Sequence, residues 1–451
     1  MTLTQTLAVV IFLGTFVAIS WGKVHRFIPA IAGAGLILVV LFGIVLKDVE
    51  AIRDILNLEL ILDSRFWLPG DERLQSRGIN WQTIFFIAGM MVMVEGLARA
   101  GFFRWMCLAV AKRMHYRVVP ILIGFMVLSG FLSMFIDSIT VMLFMASVTV
   151  EIGRLLEFDP VPVVIAEIFA SNTGGSATMS GDPPNIIIGT SFGYTFTDFA
   201  MNTGLIACVG LVVSVLYFYL LLRKSLGACE KKNHRAGRKY PEPAESIAST
   251  RLFSLHAGIL VLVVILLVTQ GLTGMSVALI GLIAASLSLV VAGSHARRML
   301  TEIDWRTLLF FVGLFACVGG LEETGVLALV AEMIGRVSGG SPTSVMGIIL
   351  WGSAVASSIV DNIPFVAGMV PVVMSLSESL GLSLHPLAWA LALGTDIGGN
   401  GTPIGASANV VGTAISAREG HPIGWGRYLR YALPLTVIVI AICNIMLFVR
   451  Y

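Results

Sequence analysis

The sequence predicts an all-α polytopic membrane protein made of two inverted repeats, each with five crossings, one re-entrant hairpin and one broken helix. Three observations carry that prediction. Of 451 residues, 57% are hydrophobic and 12% charged, against about 25% charged in soluble domains. Runs of roughly 20 apolar residues, long enough to cross a bilayer as a helix, recur along the whole chain. The chain also matches itself. Asp137 and Asp361 stand 224 residues apart, and at that offset residues 79–188 align with 303–412 without a gap.

Taken in order, spans are expected near 5–20, 28–46 and 82–98. A polar-centred segment follows at 118–155, then a span interrupted by polar residues at 160–192, then a span at 202–222. The first twenty residues have no basic n-region and no small-residue cleavage site, so they read as a span and not a removed signal. Residues 47–78 have enough apolar periodicity for a helix lying on the membrane surface as a structural cap. A basic linker, 223–253, divides the N-terminal repeat (1–222) from the C-terminal repeat (254–451). The second half has spans near 255–270, 275–293 and 306–321, a polar-centred segment at 344–383, an interrupted span at 386–416 and a last span at 432–449.

The net charge of +2 is less informative than where the charges lie. Basic residues collect at Lys23/Arg26, in 99–117, across 223–251, at Arg297/Arg298 and at Arg418/Arg427/Arg430. The connections between these, 47–78, the Asp198 turn, the 271–274 turn and the Glu322–Glu323 region, are poor in Lys/Arg or acidic on balance. If both polar-centred segments enter and return on one side, basic and non-basic connections alternate without exception, as the positive-inside rule asks. Ten crossings and two re-entrant hairpins follow, with a cytoplasmic linker and both termini outside. In a bacterium the membrane is then the cytoplasmic one. Five crossings per half is an odd number, so the halves insert upside down relative to each other. Inverted repeats with paired helix breaks point to a secondary transporter with a midplane site.

The first break reads SNTGGSATMSGDPPN (171–185), and its twin is GTDIGGNGTPIGASANVVG (394–412). A central Pro costs a helix about 3 kcal/mol and each Gly about 1, and irregular backbone at membrane depth is tolerated only where protein or water satisfies it. Each break is therefore a candidate binding site. Half-helix N-termini suit an anion or an electron-rich oxygen, and half-helix C-termini with unwound carbonyls suit Na⁺. The candidates at the hairpin tips are Asp137, Ser138, Asp361 and Asn362. Those in the first break are Ser171, Asn172, Thr173, Gly174, Gly175, Thr178, Asp182 and Asn185. Those in the second are Asp396, Gly398, Gly399, Asn400, Thr402 and Asn409. Glu167, one turn before Ser171, is a candidate for proton or cation coupling.

Several of these residues have a second reading. Asp137 and Asp361 suit capping of backbone N–H groups at the tips, and Asp182 suits an N-cap for the helix that begins at Pro183. Asp396 aligns with Asn172, so the halves differ in charge there. Glu95 with Arg99, and Glu151 with Arg154, have the spacing of ion pairs on a helix. The five cysteines are scattered and read as small apolar residues. Neither HExxH nor GxxxxGK[ST] occurs, so neither of those catalytic motifs is present. No cofactor is expected beyond a possible bound Na⁺, and the expected partners are the bilayer, a small solute and H⁺ or Na⁺, not nucleic acid.

ASNTGGSATMSGDPPNIIIG (170–189), SIVDNIPFVAGMVPVV (358–373) and GGNGTPIGASANVVG (398–412) resemble the ion transporter superfamily. The resemblance is to the branch with a citrate-transporter-like domain that holds arsenite-permease-like proteins, the melanosomal P protein and NhaD-type antiporters. It covers nearly the whole chain. It implies a homodimer whose hairpins and broken helices (118–192 and 344–416) form a mobile transport domain moving like an elevator. It places a sodium or proton site at Asp137, Ser171-Asn172-Thr173, Asp361-Asn362 and Asp396. The function it implies is cation-coupled export of a small inorganic solute such as arsenite or silicic acid, with Na⁺/H⁺ antiport as the alternative. A Na⁺/dicarboxylate symporter is a further reading, but the second repeat has Thr395-Asp396-Ile397 where such symporters keep Ser-Asn-Thr. An anion channel is the remaining one.

Overall fold

The computed structural model describes residues 1–21, 24–68, 78–233 and 240–451. Lys23, residues 69–77 of the 47–78 segment, residues 234–239 of the basic linker and the side chain of Cys229 lie outside the described residues. Among the described residues there is no strand, and ten helices are long and apolar enough to cross a membrane.

The first half begins with α1 (Leu3–Trp21), then α2, which is α-helical over Phe27–Gly35 and continues as a π-helix over Leu36–Leu46. Next come α3 (Val49–Leu56), α4 (Trp81–Arg99) and α5 (Phe102–Arg113). The first hairpin is α6 (Val118–Ser133) and α7 (Ser138–Leu155). The first broken helix is α8 (Val161–Gly175) and α9 (Pro183–Phe192), and α10 (Leu205–Asn233) closes the half. The second half has α11 (Thr250–Val268), α12 (Val277–Ala292), α13 (Trp305–Glu323) and α14 (Val326–Ser338). Its hairpin is α15 (Pro342–Ile359) and α16 (Asn362–Leu380), its broken helix α17 (Leu384–Gly398) and α18 (Ser407–Arg418), and its last helix α19 (Trp425–Arg450).

Local chemistry sets the boundaries. Asn80 accepts from Thr83 N to cap α4, and Asp304, 224 residues on, accepts from Thr307 N to cap α13. Prolines at the first turn of α8, α9 and α15 cost no helical hydrogen bond there. The internal match extends to the elements themselves. From α4 to α9 and from α13 to α18, five of six paired helices start 224 residues apart, and the α8/α17 pair misses by one.

The ten spanning helices are not simply the ten crossings expected. Three hairpin arms, α7, α15 and α16, qualify by length and hydropathy. The two broken helices do not, because their halves are short. The basic connection at 99–117 and the Glu322–Glu323 region contain helices, α5 and α14, that a charge count does not distinguish from loops. Among the described residues the 47–78 segment forms a short helix, α3, and two single turns, Glu59–Leu62 and Ser64–Trp67. The linker begins as helix, since α10 runs to Asn233. Glu95 does pair with Arg99. Glu151 does not pair with Arg154: it takes two bonds from Arg104, both 2.7 Å, and Arg154 reaches Glu419 at 3.0 Å. Residues distant in sequence, Arg104 on α5 and Glu419 in the turn after α18, displaced the local partner.

The repeats interlock. A Cβ on Gly89 of α4 would collide with the backbone of Gly281 on α12, and its counterpart Gly313 of α13 meets the backbone of Ala30 on α2. One packed group thus contains α1, α2, α4 and α11–α13. The hairpins and broken helices form the other, flanked by α10 and α19.

Candidate functional site

Each break is closed by an asparagine from the helix that follows it. Asn185 Nδ2 donates to the carbonyls of Gly175 and Thr178, both at 3.1 Å, and Asn409 Nδ2 donates to those of Gly399 and Thr402, both at 2.8 Å. These carbonyls are the acceptors a helix end leaves unsatisfied, so one amide lets the backbone be irregular in an apolar setting. The Thr178 hydroxyl donates to the carbonyl of Met134 in the first hairpin tip, and Thr402 donates equivalently to Ser358. Ser171 and Ser133 hydroxyls meet at 2.6 Å, and Thr173 bonds its own helix at Phe169 O. Gly174 and Gly398 are required by packing: a Cβ on either would strike the backbone of α6 at Gly130 or of α15 at Ala354. These residues hold the breaks against the hairpins.

The breaks meet through Asn172, whose Nδ2 donates to Asn400 Oδ1 at 2.9 Å and Asn409 Oδ1 at 2.8 Å. Around that junction five buried side-chain oxygens have no hydrogen-bond donor: Asn172 Oδ1, Asp182 Oδ2, Asn185 Oδ1 and both carboxylate oxygens of Asp396. Asn400 Nδ2 is the one donor of the group left without an acceptor. All five residues are at most 2% exposed. Asp182 lies within electrostatic reach of Asp137, Asp361 and Asp396, so both hairpin tips and both breaks bear on one region. Leaving buried polar groups unpaired costs about 1–3 kcal/mol each by mutational measures, and more when charged. An oxygen-only acceptor set is what a hard cation takes. No cluster of three or more His, Cys, Asp or Glu placed to hold a metal ion occurs among the described residues.

The tips divide the remaining candidates. Asp137 caps α7, accepting from Thr140 N at 2.9 Å and its hydroxyl at 2.8 Å. Asp182 makes no capping bond to α9, contrary to that reading, and instead accepts from Ser138 Oγ at 2.5 Å. Asp361 caps α16 through Ile363 N at 3.1 Å, and its Oδ2 accepts from Ser407 at 2.9 Å and from Arg26 at 3.0 Å. Asn362 is buried beside it. Glu167 stands apart: Thr149 donates to one of its oxygens and the other is buried without a partner.

Sequence reasoning missed Arg26 and Ser407. Arg26 registered only as a topology charge, and Ser407 aligns with Pro183, so the repeat gave it no polar twin.

A cavity of about 340 Å³ opens beside the first break, between the two helix groups, lined by Met179, Thr190, Tyr194, Gln270, Ser276 and Leu384. Near its rim Asn80 Nδ2 donates to Thr190 Oγ1 at 2.8 Å, and Thr83 Oγ1 lies 2.9 Å from the same hydroxyl.

A family model described as "Citrate transporter" matches residues 16–394. The chain is 34% identical to an uncharacterized transporter of Mycobacterium tuberculosis (strain ATCC 25618 / H37Rv) over 450 residues, covering 99% of each chain. It is 29% identical to the P protein of Homo sapiens over 437 residues, which covers 80% of this chain and 52% of that protein. It shares its fold with the Neisseria gonorrhoeae MtrF structure, titled as illuminating a class of antimetabolite efflux pumps. The TM-score is 0.55 at 10% identity, covering 99% of this chain and 94% of that one.

Proposed function

This chain belongs to the citrate transporter family, and from that premise we propose that it is a cation-coupled secondary transporter exporting a small inorganic oxyacid of the arsenite or silicic acid kind. The observation that carries the proposal is the set of five donor-free buried oxygens where the breaks meet. H⁺ or Na⁺ supplies the positive charge that Asp396 and Asp182 lack. A neutral oxyacid brings hydroxyl donors to amide and carbonyl oxygens, whereas a carboxylate would set acceptor against acceptor. That favours a neutral cargo over citrate or a dicarboxylate.

The same observation supports the second reading, a Na⁺/H⁺ antiporter in which the cations alternate at these acids and no further solute moves. In both readings the hairpins and broken helices, residues 118–192 and 344–416, form the body that carries the site in an elevator-type displacement against the other helices. The charge alternation supports five crossings in each of two inverted halves, a cytoplasmic linker and both termini outside, and in a bacterium the membrane is the cytoplasmic one. Assembly as a homodimer around the other helices is what the family resemblance implies.

Proteoliposomes test the choice. Arsenite or silicate flux driven by a pH or Na⁺ gradient is the expected result. Proton flux driven by a Na⁺ gradient with no solute present selects the antiporter. Solute flux indifferent to both gradients overturns coupling.

A further inference from the structure

The two hairpin tips are built alike in backbone but not in charge. Asp137 is bonded within its own hairpin, by Thr140. Asp361 instead takes a guanidinium from the connection between α1 and α2, 335 residues away in sequence. Arg26 Nη1 donates to Asp361 Oδ2 at 3.0 Å and to Ser407 Oγ at 3.1 Å, while Ser407 donates to the same carboxylate oxygen at 2.9 Å. The other oxygen, Oδ1, is used by the Ile363 amide. The guanidinium also stands 5.6 Å over the ring of Phe310 on α13, which anchors it to the static helix group.

We propose that Arg26 is an internal counter-ion for the second hairpin tip, occupying Asp361 and Ser407 while the cation site is empty and tethering that tip to the α1–α2 connection until a cation displaces it. This rests on the cation-site reading above. Asp361 is in electrostatic reach of Asp182, which faces Asp396 in turn. A cation arriving in that cluster therefore repels Arg26 and offers the carboxylates another partner. Because the guanidinium belongs to one helix group and its acceptors to the other, its release also frees the second group to move. An occupant that must be displaced lowers the apparent affinity of its competitor by the fraction of time the site is blocked. The pair is partly exposed, at 38% for Arg26 and 21% for Asp361, so the effect is modest, about two- to fivefold.

The test uses the purified full-length protein with two readouts. The first is the NaCl concentration for half-maximal thermal stabilisation, with choline chloride holding ionic strength. The second is maleimide labelling, without Na⁺, of a cysteine at Asn362, which is 3% exposed beside the tether, read against the parent protein lacking it. Arg26→Gln is expected to lower the half-saturating NaCl about two- to fivefold and to raise labelling, while Arg26→Lys stays near the parent. Ser407→Ala removes one of the two acceptors, gives the same changes in smaller measure, and serves if Arg26→Gln does not fold. Unchanged labelling overturns the tether. Raised labelling with an unchanged NaCl midpoint overturns the competition. Raised labelling with no NaCl stabilisation of either protein sustains the tether and overturns instead the sodium reading beneath it.

Discussion

At Asp396 both carboxylate oxygens are buried with no hydrogen-bond donor, and Asn172 holds the equivalent place in the first repeat. An ionised carboxylate in such a place needs a cation or a proton, and replacing it with asparagine keeps the shape while removing the charge. Asp396→Asn is expected to weaken Na⁺ binding about ten- to a hundredfold, the range for losing one charge-assisted contact of about 1.5–3 kcal/mol. The thermal midpoint of the cation-free protein should hold or rise. Equilibrium binding of ²²Na⁺ to purified protein checks this, and full binding in the variant removes Asp396 from the site. The asymmetry at 172/396 was legible from the self-alignment alone. The Arg26–Asp361 pair was not, because no local spacing reports a contact between residues so far apart. Nor does spacing weigh competitors, which is why Glu151 and Arg154 looked like partners and were each taken by a residue distant in sequence, Arg104 on α5 and Glu419 in the turn after α18.

Helix breaks are readable where their causes are covalent. The Gly and Pro clusters at 174–184 and 398–405 end their helices within a few residues of the places expected. The helices α5 and α14 escaped notice because each is only 12 or 13 residues long, flanked by charge, and lacks the 20-residue apolar run that identifies a span. Within the hairpins and broken helices the glycines act in two ways that sequence cannot separate. Gly174 lies where a Cβ would enter the backbone of Gly130, whereas Gly352, on the α15 arm, has open space at the same point. Gly174→Ala is expected to destabilise by about 1–3 kcal/mol through overpacking. Gly352→Ala is expected to be neutral or to stabilise by up to about 1 kcal/mol, since alanine restricts the unfolded chain and favours helix. Thermal midpoints in one detergent compare the two directly, and equal effects would show that the α6–α8 contact is not tight in solution.

At the scale of the whole molecule, polar contacts that join the two helix groups among the described residues differ between the repeats. In the first, Asn80 and Thr83 at the start of α4 hold Thr190 on α9. In the second, Asp304 bonds to Thr307, one turn into its own helix, and Ala414 stands at the position of Thr190, without a hydroxyl. If the halves are inverted and the second group moves, as proposed above, the pair does not present the same interface to both sides of a membrane at once, and the moving body breaks on one side what it makes on the other. The Asn80–Thr190 contact is therefore expected to exist in one transport state only. Cysteines at both positions are expected to crosslink under mild oxidation, because the side chains already meet at 2.8 Å. Oxidised Asn80→Cys/Thr190→Cys protein in proteoliposomes is expected to lose nearly all coupled flux and to regain it on reduction, with each single variant insensitive to oxidant. If the crosslinked protein still transports, the two helix groups do not move past each other at this contact, and the displacement assigned to residues 118–192 and 344–416 is wrong there.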